Sequence, residues 1–109
     1  MKKIVKFAVI NSGVPYQLPG YTVLTIKDIE SVSKVACGSD PIGDVVKMLI
    51  EKIVRKNPIT KLNCILGFSV VSFYDGVNRR LAAYGNPAYI EHVTGLKAEI
   101  IFCNYEIDV

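Results

Sequence analysis

The sequence predicts an α+β fold: a single antiparallel or mixed β-sheet of four to five strands with one main helix on one face. Three observations carry this. Apolar residues recur at helical spacing in one stretch only, residues 41–56. Several short runs rich in β-branched and aromatic residues are separated by Gly, Pro, Asn and Asp. Residues 61–74, Lys-Leu-Asn-Cys-Ile-Leu-Gly-Phe-Ser-Val-Val-Ser-Phe-Tyr, read as a strand that is apolar on both faces.

The first strand is expected over residues 3–10, ending in the turn formers Asn11, Ser12, Gly13, Val14 and Pro15. Met1-Lys2-Lys3 before an apolar run faintly resembles a secretory leader. Lys6 interrupts that run and no small-residue cleavage site follows, so a strand is the better reading. Leu18-Pro19-Gly20 makes a second turn and launches a strand over 21–26. Residues 29–37 continue or add a strand, which Gly38-Ser39 breaks.

The helix is the best-signalled element. Asp40 stands at the N-cap and Pro41 at the first helical position, where its missing N–H costs nothing. Asp44 in the first turn and Lys52, Arg55 and Lys56 in the last suit the helix dipole. Ile42, Val45, Val46, Leu49, Ile50, Ile53 and Val54 form the apolar stripe, and Asn57-Pro58 ends it. Gly43 is a blemish of ~1 kcal/mol.

In the strand over 61–74, strict alternation puts Cys64, Leu66, Phe68 and Val70 on one face and Ile65, Val71 and Phe73 on the other. Asp75-Gly76-Val77-Asn78 is a hairpin turn into a return strand over 79–90, with a bulge expected at Gly85-Asn86-Pro87 because proline cannot donate to a ladder. After a turn at 92–95, residues 96–105 are expected as the final strand, with Ala98, Ile100 and Phe102 opposing Ile101 and Cys103.

A chain of 109 residues makes one domain, 1–109, and at this size folding buries roughly 65% of the unfolded surface. The net charge of +3 from mixed signs does not argue for nucleic acid. The three cysteines are far apart and sit in or beside apolar stretches, without the spacing of a metal knuckle or redox pair. Reduced thiols in a cytoplasmic protein are the expectation. No stretch has the length of a membrane span.

Three signatures resemble the YbjQ-like family, often labelled a heavy-metal-binding domain. Leu18-Pro19-Gly20-Tyr21 is similar to that family's opening. Leu62-Asn63-Cys64-Ile65-Leu66-Gly67-Phe68 is similar to its segment of Ala-Asn-Ala-Val-Val-Gly-Val type. Tyr84-Gly85-Asn86-Pro87-Ala88 stands where the family tends to have Tyr-Gly-Thr-Ala. The resemblance implies a small α+β fold assembled into a closed homo-oligomer, with a pentamer the family expectation, and no established activity. This chain departs in its shorter helical region and in Pro87, and it offers no clear ligand set for the family's metal label.

Candidate chemistry is sparse. His92 is the single histidine, and Glu91 beside it points to the opposite face of a strand, so the two cannot chelate together. Cys64, Cys103 and His92 are the one set that a metal or a thiol-dependent enzyme could use, and no spacing signals either. No Gly-rich phosphate loop accompanies the helix start. Arg79-Arg80 with Tyr74 and Tyr84 could form a small basic-aromatic patch, although arginines beside a hairpin turn are commonly just solvated. Tyr16, Tyr21, Tyr84, Tyr89 and Tyr105 are candidates for an interface.

The leading expectation is a homo-oligomer without cofactors that holds a small ligand or partner at its subunit junctions, with Tyr84, Gly85 and Asn86 in the ligand-binding wall. It follows from cover: a helix ~10 Å wide shields about two strands spaced ~4.8 Å apart, and this sheet has more.

Overall fold

The computed structural model describes residues 1–11 and 18–109. The expected turn residues Ser12 to Pro15, and Tyr16, lie outside that range. Among the described residues six strands and one helix follow in the order β1 (Lys2–Val9), β2 (Tyr21–Ile26), β3 (Glu30–Val35), α1 (Pro41–Lys56), β4 (Cys64–Tyr74), β5 (Arg79–His92) and β6 (Cys103–Asp108). The fold class is the predicted one: a mixed sheet with one helix on one face. It holds six strands rather than four or five because two of them share an edge. The sheet runs β2-β5-β4-β1-β6, and β3 lies end to end with β2 along the same side of β5.

That arrangement accommodates a proline in a central strand. β2 leaves β5 at Ala88 and β3 joins it at Gly85. The Pro87 carbonyl accepts from Lys27 N–H in the gap between them at 2.8 Å. The missing proline N–H points to the same side, where neither strand needs it.

The helix forms as its caps and stripe direct. An Asp40 carboxylate oxygen accepts from Gly43 N–H at 3.1 Å, and the Asn57 side chain donates to Ile53 O at 2.8 Å. Val45, Val46, Leu49, Ile50 and Ile53 are buried. Ile42, expected on the stripe, is exposed. Gly43 leaves room for the cap, since a Cβ there would displace the Asp40 carboxylate that caps the helix. The helix packs over β3, β5 and β6, and its core takes in Phe7, Ile65, Phe68, Ala83 and Ile107.

The phase of β4 differs from strict alternation. Gly67 adopts φ +61°, and the pairing with β5 slips by one residue between Leu66 and Ser69. Such a bulge reverses the faces beyond it. Ile65, Phe68 and Val70 therefore face the helix, while Cys64 and Leu66 face away. The bulge expected at Gly85-Asn86-Pro87 thus sits on the opposing strand, and β5 runs unbroken to His92.

The final strand begins at Cys103, later than expected. Residues 96–102 are irregular, and Ile100 and Phe102 fold over Ala8, Leu18, Cys64, Leu66, Ala88 and Ile90 on the face away from the helix. They cover half of that face, supplying part of the shielding that α1 cannot.

Candidate functional site

Among the described residues, none packs over the other half of that face. Register fixes a grid of nine positions there, since directly paired residues on adjacent strands share a face. Ser31, Tyr84 and Ser69 form one row across β3, β5 and β4. Ser33, Ala82 and Val71 form the next, and Val35, Arg80 and Phe73 the third. Val71 is 44% exposed and Phe73 40%, on a stretch of β4 that pairs with β5 alone, since β1 meets β4 only at Cys64 and Ile65. Phe73 and Val71 were legible as apolar positions in β4. Their partners Ser31, Ser33 and Val35 were not singled out, although the alternation Ser-Val-Ser-Lys-Val in β3 carries the signal.

The predicted wall residues divide between the faces. Tyr84 and Asn86 share the uncovered side, both half-buried, and the Asn86 carboxamide donates to Lys27 O at 2.9 Å. Gly85 points to the helix side and is buried. A Cβ on it would lie 2.5 Å from Ile65 Cγ2 and 3.0 Å from Leu66 O, so glycine here permits β4 to bulge against β5. The three are adjacent in the chain, but only the first and third reach one surface.

Cys64, Cys103 and His92 are spread across the sheet. Cys64 pairs with Ala88 at the sheet centre and is fully buried, which pushes its thiol up to about 12. Cys103 pairs with Phe7 on the far side of β1 and is exposed, as is Cys37. The His92 imidazole contacts the Leu96 carbonyl and tilts against Tyr21, with ring centroids 5.4 Å apart. Among the described residues no group of three or more His, Cys, Asp and Glu side chains converges to hold a metal.

The two arginines are engaged within the sheet surface. Arg79 donates to Ser72 Oγ at 3.0 Å. Arg80 donates to Ser33 Oγ at 3.4 Å and lies 3.7 Å from the Asp75 carboxylate. The Asp75 carboxyl is held below its usual range, first by N–H groups of Asn78 and Val77 and then by Arg80. This Asx turn closes the β4–β5 hairpin at the rim of the grid.

A separate cleft of about 400 Å³ opens where α1 ends, within the size range of ligand sites. Its floor is Val5, Phe7, Val54 and Leu62, and Lys3, Lys61 and Ile59 stand at its margin. Among the described residues no helix is long and apolar enough to cross a membrane.

No family model, no curated protein and no solved structure matches the chain.

Proposed function

We propose that this chain is a cytoplasmic assembly domain that forms a homo-oligomer through the uncovered half of its sheet. The observation that carries the reading is the exposure of Val71 and Phe73 on a sheet face whose other half is sealed by Ile100 and Phe102. Apolar groups on an open sheet face are costly to leave wet, at about 25 cal/mol per Å². A second copy of the chain is the occupant, because the face is self-compatible. It combines an apolar patch with serine and tyrosine hydroxyls, and its arginine is already neutralised by Asp75.

Magnitude sets the extent of the contact. Nine positions spaced about 4.8 by 6.8 Å span roughly 300 Å². A standard interface needs about 800 Å² from each partner. The contact therefore extends to the neighbouring exposed apolar residues: Ile26 at one end and Val77 at the hairpin tip.

A small ligand or partner bound at the subunit junction would meet Tyr84 and Asn86, with Gly85 supporting the wall from behind. A YbjQ-like relationship, including a ring of five, is compatible with this reading. Free thiols at Cys37, Cys64 and Cys103 suit a reducing compartment. Light scattering on the intact chain and on Phe73→Asp tests the proposal. Assembly in the former and a monomer in the latter support it; a monomer in both rejects it.

A further inference from the structure

We propose that the free edge of β1 accepts an extended peptide segment as an added strand, with apolar side chains entering the cleft and acidic ones lying beside the lysines of β1. β1 pairs with β6 along Lys2 to Phe7, but with β4 only at Ala8 and Val9. Hydrogen-bond phase then identifies the free groups. Val109 N–H donates to Met1 O, so odd-numbered residues of β1 bond to β6. Ala8 N–H donates to Asn63 O, so even-numbered ones point the other way. The N–H and C=O groups of Ile4 and Lys6 face a gap that no described strand fills. Unpaired strand edges of this kind template a further strand.

The gap has room and chemistry for an occupant. The cleft of about 400 Å³ lies along it on the helix side, floored by Val5, Val54 and Leu62. On the other side Ile4 is 69% exposed between Lys2 and Lys6. Among the described residues no carboxylate lies within 4.0 Å of Lys3, Lys6 or Lys61, leaving the surroundings of the gap basic.

β6 shows what β1 accepts on its other edge. Tyr105 and Ile107 turn toward the helix core, whereas Asn104, Glu106 and Asp108 stand opposite Lys6, Ile4 and Lys2. Lys2 and Asp108 are 3.3 Å apart. A segment alternating apolar and acidic residues meets the same requirements at the free edge: backbone pairing gives affinity, and the cleft and lysines give selection.

The probe is a capped peptide of residues 103–108 carrying Cys103→Ser, added to the intact protein and followed by amide hydrogen exchange and NMR shifts. Saturable binding should slow exchange at Ile4 and Lys6 by about tenfold or more and shift Val54 and Leu62. A peptide with Lys in place of its Glu and Asp should not bind, and added salt should weaken the acidic one. Ile4→Pro, which removes one free amide without touching the β6 bonds, should abolish binding. If that variant fails to fold, Lys6→Glu, on the side where the acidic residues lie, should weaken binding while leaving the backbone intact. Absence of binding overturns the proposal. So does exchange of the peptide with native β6, seen as perturbed Lys3 and Val5 amides with Ile4 and Lys6 unprotected. Protection of Ile4 and Lys6 in the protein alone that is lost on dilution would assign the edge to a second copy and equally overturn it.

Discussion

Asn63 is joined to Ile90 twice through its side chain: the carboxamide oxygen accepts from Ile90 N–H at 2.9 Å, and the carboxamide nitrogen donates to Ile90 O at 3.0 Å. Its backbone meanwhile accepts from Ala8 N–H and donates to Ala88 O. One residue thus ties β1, β4 and β5 together just before β4 begins, its amide imitating one more strand position. Asn63→Leu keeps the bulk and leaves the polar groups of buried Ile90 without partners. It should cost about 1–3 kcal/mol, read as a lower denaturant midpoint at unchanged slope.

The bulge depends on two glycines in opposing strands. Gly67→Ala should destabilise by roughly 1 kcal/mol, because φ +61° disfavours any side chain. Gly85→Ala should cost more, about 1–3 kcal/mol, since its Cβ meets Ile65 and the Leu66 carbonyl. Equilibrium unfolding of both variants checks the order, and equal costs would contradict this geometry.

Cys64 should be inert. A thiol reagent at neutral pH should titrate Cys37 and Cys103 in the folded protein and reach Cys64 only after denaturation. Burial holds the Cys64 proton to about 12, whereas the unfolded chain releases it near the ordinary 9.0. Above 9 the unfolded state binds fewer protons than the native one. The stability from this thiol is therefore complete below pH 9 and falls as pH rises from 9 towards 12. Cys64→Ala, compared with the parent across that window, should remove this part of the pH dependence.

Coupling between two residues tests the helix start. Replacing glycine by alanine within a helix ordinarily stabilises by about 1 kcal/mol. Here Gly43→Ala should forfeit most of that gain, because its Cβ displaces the capping carboxylate of Asp40. In an Asp40→Ala background, where the cap is already lost at about 1 kcal/mol, the same change should stabilise. Thermal unfolding of the four proteins of this cycle gives the coupling directly.

Local signals sufficed for the helix: Asp40, Pro41 and Asn57 mark its ends, and five of the seven residues in the stripe are buried. They failed where a partner strand decides. Nothing near Gly67 announces that it will take the left-handed conformation, so Phe68 and Val70 were expected on the wrong face. Ala98, Ile100 and Phe102 alternate like a strand, but residues 96–102 have no strand partner and cap the sheet. Tyr84 and Asn86 stand out through their turn-forming neighbours, yet only register places Tyr84 beside Ser69 and Asn86 opposite Leu66. The cleft at β1 gave no signal in the chain, because the short parallel contact of β1 with β4 arises from the crossover through β2, β3 and α1.

Sedimentation equilibrium of the intact chain alongside Phe73→Asp bears most directly on whether the uncovered grid is a contact between copies. The expected result is a multiple of 12.0 kDa for the parent and 12.0 kDa for a folded Phe73→Asp. A parent that stays at 12.0 kDa at every concentration, or an assembly that the aspartate leaves intact, would contradict it.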